Sequence, residues 1–306
     1  MVTQATSLAE RIAGGQPLLL TEIAPPQGAE PAPVWDAARR FVGKVHAVGI
    51  SDNRERVSMS ALAAAALVAA EGLEPILHMT TRDRNRVALV SEVLGAQALG
   101  IRNVLCTSGT HQTLGRFRAA KNVYDIDSIQ LLQACAGLSR GGGFLGEDRG
   151  LAATGPLCLV AVAAPFADPL ELQIMRLVKK AQAGAKLLIT QPVFDLERFA
   201  TWWQEVARHG IHEQAAIVAG IQPLTNGHGI AAQSGKRPAP RIPDALRGRV
   251  LSGADAAEQR AQAIAVAVET IGQLTRFAGL RGFSISGDGD LDACLQVIEK
   301  AGLGSV

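Results

Sequence analysis

The chain has 306 residues, of which 48% are hydrophobic, 19% charged and 4% aromatic. That much aliphatic side chain can fill a sizeable core, which excludes a disordered chain or a disulfide-stapled miniature. A net charge of +2, from 30 basic and 28 acidic residues with no basic run interleaved with aromatics, excludes a dedicated nucleic-acid binder.

Cys106, Cys135, Cys158 and Cys294 lie far apart and form no CxxC pair, so they read as reduced thiols rather than zinc ligands or a disulfide frame. The first fifteen residues carry no apolar signal segment. The longest clean apolar run, 61–70, falls well short of the roughly 20 residues a bilayer requires. These features predict a cytoplasmic protein with no membrane partner.

Taken in chain order, short β-branched or leucine-rich runs alternate with longer segments of helical spacing. The predicted strands are 17–23, 44–50, 74–80, 102–108, 157–164, 186–191, 215–221 and 282–286. Helical patterns cover 58–72, 84–100, 168–184 and 196–210, each ending in glycine, the usual stop before the next strand. Strands that read as continuous apolar runs belong to a parallel sheet covered by helices. Eight such units over residues 1–306 predict a single (β/α)8 barrel, an α/β fold. A doubly wound sheet is the alternative, but the segment after Glu22, IAPPQGAEP, has neither GxGxxG nor a P-loop.

Two excursions interrupt the alternation. Residues 225–243 directly follow the seventh strand and read either as a substrate loop on the catalytic face or as a solvated linker. Residues 139–155 are glycine-rich, precede the fifth strand, and are expected at the opposite end.

On a barrel, chemistry concentrates where strands stop. Glu22, Ser51, Asp52, Asn53, His78, Thr80, Thr107, Ser108, Gly109, Thr110, Thr190 and Gln191 occupy such positions. Asp52 and Asn53 read equally well as caps of the following helix, and His78 as a satisfied core histidine. Glu22 is harder to dismiss, because a carboxylate ending LLLTEI is expensive to bury without purpose.

TEIAPP (21–26), LHMT (77–80), NVLCTSGT (103–110), VYDIDSIQLL (123–132), AGAKLLITQPVFD (183–195) and GIQPL (220–224) together resemble the methylenetetrahydrofolate reductase family. The order and spacing match over nearly the whole chain, most specifically in the 183–195 block. The resemblance implies an FAD-dependent barrel enzyme that interconverts 5,10-methylenetetrahydrofolate and 5-methyltetrahydrofolate, with NADH or NADPH as co-substrate. A homo-oligomer is expected.

By the same resemblance Glu22 is the general acid, its pKa raised by burial among Leu18, Leu19, Leu20 and Ile23, and Gln191 binds the pterin. His78, Ser108, Gly109, Thr110, Tyr124, Ala163 and Lys180 match positions around the flavin, although Lys180 in VKKAQAG also reads as a plain solvated lysine. No residue matches a metal ligand.

The chain departs from the family pattern at four places: Thr110 replaces an aspartate, Ala164 and Gly227 replace aromatics, and Asp168 replaces a histidine. Thr110 sets no negative charge beside the flavin, which favours methyl-folate oxidation as the direction. Thr110, Ala164 and Asp168 also leave open a rival reading, a flavin-poor folate-binding barrel acting as a non-catalytic or regulatory subunit. A pterin-linked methyl transferase, hinted at by Ser51-Asp52-Asn53, is a fainter third.

Overall fold

A computed structural model describes residues 6–54, 56–115, 117–141, 143, 151, 155–225 and 241–304. Eight parallel strands close into a barrel in sequential order. They are β1 (Leu18–Ile23), β2 (Ala47–Ile50), β3 (Pro75–Thr80), β4 (Asn103–Thr107), β5 (Cys158–Ala163), β6 (Leu187–Pro192), β7 (Ala216–Ile221) and β8 (Leu280–Ile285). Around them run α1 (Leu8–Ala13), α2 (Ala32–Phe41), α3 (Ala61–Ala70), α4 (Arg86–Ala98), α5 (Ser128–Ser139) and α6 (Leu170–Gln182). The helical layer continues with α7 (Leu196–Arg208), α8 (Ile211–Gln214), α9 (Asp244–Leu251), α10 (Ala256–Leu274) and α11 (Leu291–Lys300). The expected (β/α)8 barrel is the fold observed.

Alternation along the strands builds two cores. Leu18, Leu20, Ala47, Ile76, Leu105, Val160, Leu187 and Val218 point into the barrel and fill it. Leu19, Ile23, Val48, Leu77, Met79 and Ala163 point the other way, into the helical layer with Phe41, Phe199 and Trp202. Phe199 centres that layer, 5.4 Å from Trp202 and 5.1 Å from Phe277 between ring centroids. Truncating Trp202, 1% exposed, would cost about 3–5 kcal/mol.

Local signals set the helix starts. Ser60 caps α3, Asn85 α4, Asp127 α5 and Asp195 α7. Ser7 and Glu10 form a reciprocal capping box on α1, whose Leu8 is fully buried and plugs the barrel floor. The amino-terminal segment thus closes the base of the barrel. β2 begins later than its apolar run because His46 Nδ1 accepts the Leu19 N–H at 2.8 Å, replacing a ladder bond by a side chain.

No helix among the described residues is long and apolar enough to cross a membrane. The second excursion lies outside the described residues from 226 to 240, and Gly227 with it. The first lies outside them at 142, 144–150 and 152–154. Its described ends, Ser139 at the end of α5 and Gly155 before β5, are at the strand amino-terminal end, as expected.

Candidate active site

Glu22 is the only carboxylate carried by the eight strands. It continues the inward row of Leu18 and Leu20 and opens at the carboxyl-terminal mouth of the barrel. The dry pocket expected from its sequence neighbours is absent. Leu19 and Ile23 face the helices, and Leu18 and Leu20 lie beneath it. Its side chain is 24% exposed, and Arg54 Nη1 stands 3.5 Å from Oε1. Both line a cleft of about 320 Å³ with Ser51, Arg56, Ser286 and Asp288.

His78 lies across the barrel wall from Glu22, with Gly49 of β2 between them. A Cβ on Gly49 would meet His78 Nε2 at 2.7 Å, so the imidazole occupies the space that glycine leaves. Burial pushes the His78 pKa below its ordinary value, while Glu22 and Asp52 pull it back more weakly. A neutral imidazole beside a carboxylate results.

Asp52 caps no helix. Ser60 takes that place on α3, and Asn53 instead accepts the Ser58 N–H at 3.1 Å. The Asp52 carboxylate is fully buried: Oδ2 accepts the Thr80 N–H at 2.9 Å, the Thr80 hydroxyl at 2.8 Å and Arg84 Nη1 at 2.6 Å. Arg84 Nη2 reaches Oδ1 at 3.2 Å, so the pair is bidentate.

Arg82, 3% exposed, ties three loops together by donating to Thr110 O, Asn53 O and the Asp83 carboxylate at 2.6–3.0 Å. Gln112 Nε2 adds a bond to Asp83 at 2.9 Å.

Gly109 begins the loop after β4 with φ +78, and a Cβ there would press on Arg82 and Thr80 at 3.2–3.3 Å. The Tyr124 hydroxyl donates to Gly109 O at 3.4 Å, and its ring stacks on His111 at 6.4 Å. Thr110 is exposed, and the Ser108 and Thr110 hydroxyls hold no hydrogen bond among the described residues.

The β5–β6 side is built differently. Ala163 is buried with its side chain in the helical layer, so only its backbone faces the mouth. Lys180 is no plain solvated lysine. Its Nζ donates to Val162 O at 2.5 Å, and burial, with Arg176 adding to it against a pull from Asp127, lowers its pKa to about 8. Asp168 points to solvent and pairs with Arg198 at 2.8 Å.

At Gln191 the β6–β7 register shifts. The Thr190 hydroxyl accepts the Gly220 N–H at 2.9 Å and donates to Gln191 O at 2.8 Å. A Cβ on Gly220 would meet Thr190 O at 2.5 Å. The bulge therefore depends on glycine opposite it, and it sets the direction of the Gln191 amide. That amide is half-buried and forms no hydrogen bond among the described residues.

The Methylenetetrahydrofolate reductase family model matches residues 7–287. The chain belongs to this family. A Caenorhabditis elegans protein described as a probable methylenetetrahydrofolate reductase (NADPH) is 27% identical over 182 residues, 56% of this chain. The match spans only 24% of that relative.

Two solved structures share the fold. An uncharacterized protein from Clostridium thermocellum that binds two copies of 5-methyl-5,6,7,8-tetrahydrofolic acid aligns with a TM-score of 0.63 and 12% identity, covering 96% of this chain and 98% of that one. Riboflavin lyase, solved with modified FMN and riboflavin, aligns at 0.53 and 10% identity over 94% and 92% of the two chains.

Within this family frame, sequence reasoning missed Arg54, Arg82, Asp83 and Arg84. The signal available was TRDR directly after the third strand: alternating charges where a strand ends, beside Asp52. Among the described residues no group of three or more histidine, cysteine or acidic side chains is placed to hold a metal.

Proposed function

We propose that the chain is a flavin-dependent oxidoreductase that interconverts 5,10-methylenetetrahydrofolate and 5-methyltetrahydrofolate at the barrel mouth. The observation that carries this reading is that Glu22, His78 and Gln191 all sit at one mouth, in a chain of this family.

Reduction of the methylene bridge requires the five-membered ring to open to an iminium cation, which needs a proton on the departing nitrogen. Glu22 is the group to supply it. A pterin seated in the mouth would exclude water from the Glu22 carboxyl. Gln191, free of protein partners, would pair with the pterin edge, since an amide donates and accepts in one plane.

The residues present fit a flavin ring. The uncommitted hydroxyls of Ser108 and Thr110, the side-chain-free peptide of Gly109 and the neutral His78 imidazole offer polar partners at one rim. Tyr124 flanks them, Ala163 presents its backbone, and Lys180 would meet the phosphates of FAD on leaving Val162 O. Bound FAD supplies the hydride store, exchanged with NADH or NADPH. Thr110 offers no negative charge to the ring, which favours taking hydride from methyl-folate.

The second reading, a folate-binding barrel poor in flavin, draws on Lys180 being turned inward onto a carbonyl. The visible spectrum of the protein after incubation with FAD separates the two. Flavin absorption that bleaches with NADH or NADPH and recovers with methylenetetrahydrofolate is expected. Tight 5-methyltetrahydrofolate binding with no flavin retained would establish the second reading instead.

A further inference from the structure

Arg82 is the one buried cation among the described residues, and the chemistry above gives it no part. It belongs to TRDR, directly after β3, and lies between the loops that follow β2 and β4. All three of its side-chain nitrogens are engaged. Nη1 donates to Thr110 O at 3.0 Å and Nη2 to Asn53 O at 2.9 Å. Nε and Nη2 grip the Asp83 carboxylate at 2.8 and 2.6 Å. These bonds to Asp83 hold the Arg82 pKa above its ordinary value, so the charge is permanent.

Burying a guanidinium is expensive, and neutral donors could tie two carbonyls with less desolvation. What a cation adds is a field. Asp52 and Arg84 make a second pair that balances within itself. In the Arg82–Asp83 pair the carboxylate takes the Nε–Nη2 edge of the fork, and Thr110 O meets the Nη1 end. The positive end of this pair therefore touches the Thr110 carbonyl.

That carbonyl belongs to the peptide joining Thr110 to His111, which is trans. A trans peptide points its N–H opposite to its C=O, so the His111 N–H is directed away from the guanidinium. It has no hydrogen-bond partner among the described residues. The loop that carries it forms the rim offered above to the flavin ring, and position 110 brings no carboxylate to oppose the field.

We propose that Arg82 is a positioning residue for the flavin: it fixes the 110–111 peptide with its N–H toward the ring and polarises it for the negative charge the ring gains on reduction. The inference rests on the flavin reading above. A cation behind a backbone donor favours the reduced, anionic ring and so raises the flavin potential. Arg82 and the uncharged Thr110 then act in one direction, toward taking hydride from methyl-folate.

Spectroelectrochemical titration of FAD bound to the full chain, as wild type, Arg82→Gln and Asp83→Asn, tests it. Arg82→Gln removes the cation and leaves Asp83 charged. It should weaken binding of reduced FAD at least tenfold more than that of oxidised FAD, a fall in midpoint of about 30 mV or more. Asp83→Asn leaves Arg82 its bonds to Thr110 and Asn53 but removes the countercharge, and should raise the midpoint by a similar step. A residue that merely held the loops together would loosen the site in both variants and give no such opposition of sign. Shifts of the same sign, or an unmoved potential in either variant, overturn the inference, and FAD reversibly reduced on wild type keeps the flavin reading intact in that case. Wild type that takes up no FAD overturns the flavin reading itself and the inference with it. If Arg82→Gln does not fold, the sign of the shift in Asp83→Asn decides alone.

Discussion

On the β2–β4 side of the mouth, charged side chains hold the loops in place: Asp52 grips Arg84 and the end of β3, and Arg82 bridges the loops after β2 and β4. On the β5–β7 side the corresponding positions are backbone, small residues and the uncommitted Gln191 amide on a bulge. The first half is pre-organised by buried ion pairs. The second keeps its polar groups free for whatever binds. Substitutions should therefore cost stability on one side and affinity on the other.

Asp52→Ala carries the largest expected effect. It takes from Arg84 its bidentate partner, leaving Glu92 at 3.7 Å, and strands the buried Thr80 hydroxyl; breaking such a pair costs about 3–5 kcal/mol. Urea unfolding measures it. A change below about 1 kcal/mol would erase the distinction between the halves.

Lys180 gives an effect of similar size with a pH signature. Its folded pKa, about 8, lies below the ordinary 10.5, so the unfolded chain binds the proton more tightly. Below pH 8 both states are protonated and the full penalty of burying the charge is present. It is relieved as pH rises from about 8 to about 10.5, by on the order of 3 kcal/mol at about 1.36 per unit. Lys180→Met should be more stable than wild type at neutral pH, and that advantage should vanish toward pH 10. Unfolding curves across that window check it, and flavin content of the variant should fall.

Gln191→Ala should leave stability within about 0.5 kcal/mol and weaken folate binding by about 1–3 kcal/mol. Fluorescence titration with 5-methyltetrahydrofolate reads the second, and loss of flavin with normal folate affinity would place the amide elsewhere. The smallest effect belongs to Thr110, which is exposed. Thr110→Asp sets a charge beside a ring that becomes negative on reduction. It should lower the flavin midpoint by on the order of 20–30 mV in spectroelectrochemical titration.

Much of this was legible in the sequence for a physical reason. Parallel strands covered on both faces must be apolar throughout, so a polar residue such as Glu22, His78 or Gln191 at the end of such a run is conspicuous. Surroundings were less legible. Leu19 and Ile23 are chain neighbours of Glu22 yet lie on the other face of the sheet, so the dry pocket read from them does not form. Asp52 looked like a helix cap because its partners, Thr80 and Arg84, are 28 and 32 residues away. The aim of Gln191 rests on a glycine from the next strand.

Stopped-flow comparison of wild type and Glu22→Gln in the two half-reactions bears most directly on the proposed chemistry. Reduction of the flavin by NADH or NADPH should be unchanged, while reoxidation by methylenetetrahydrofolate should slow roughly 100-fold or more, the weight of a positioned general acid. Equal slowing of both half-reactions, or of neither, would contradict the assignment of Glu22 as the acid.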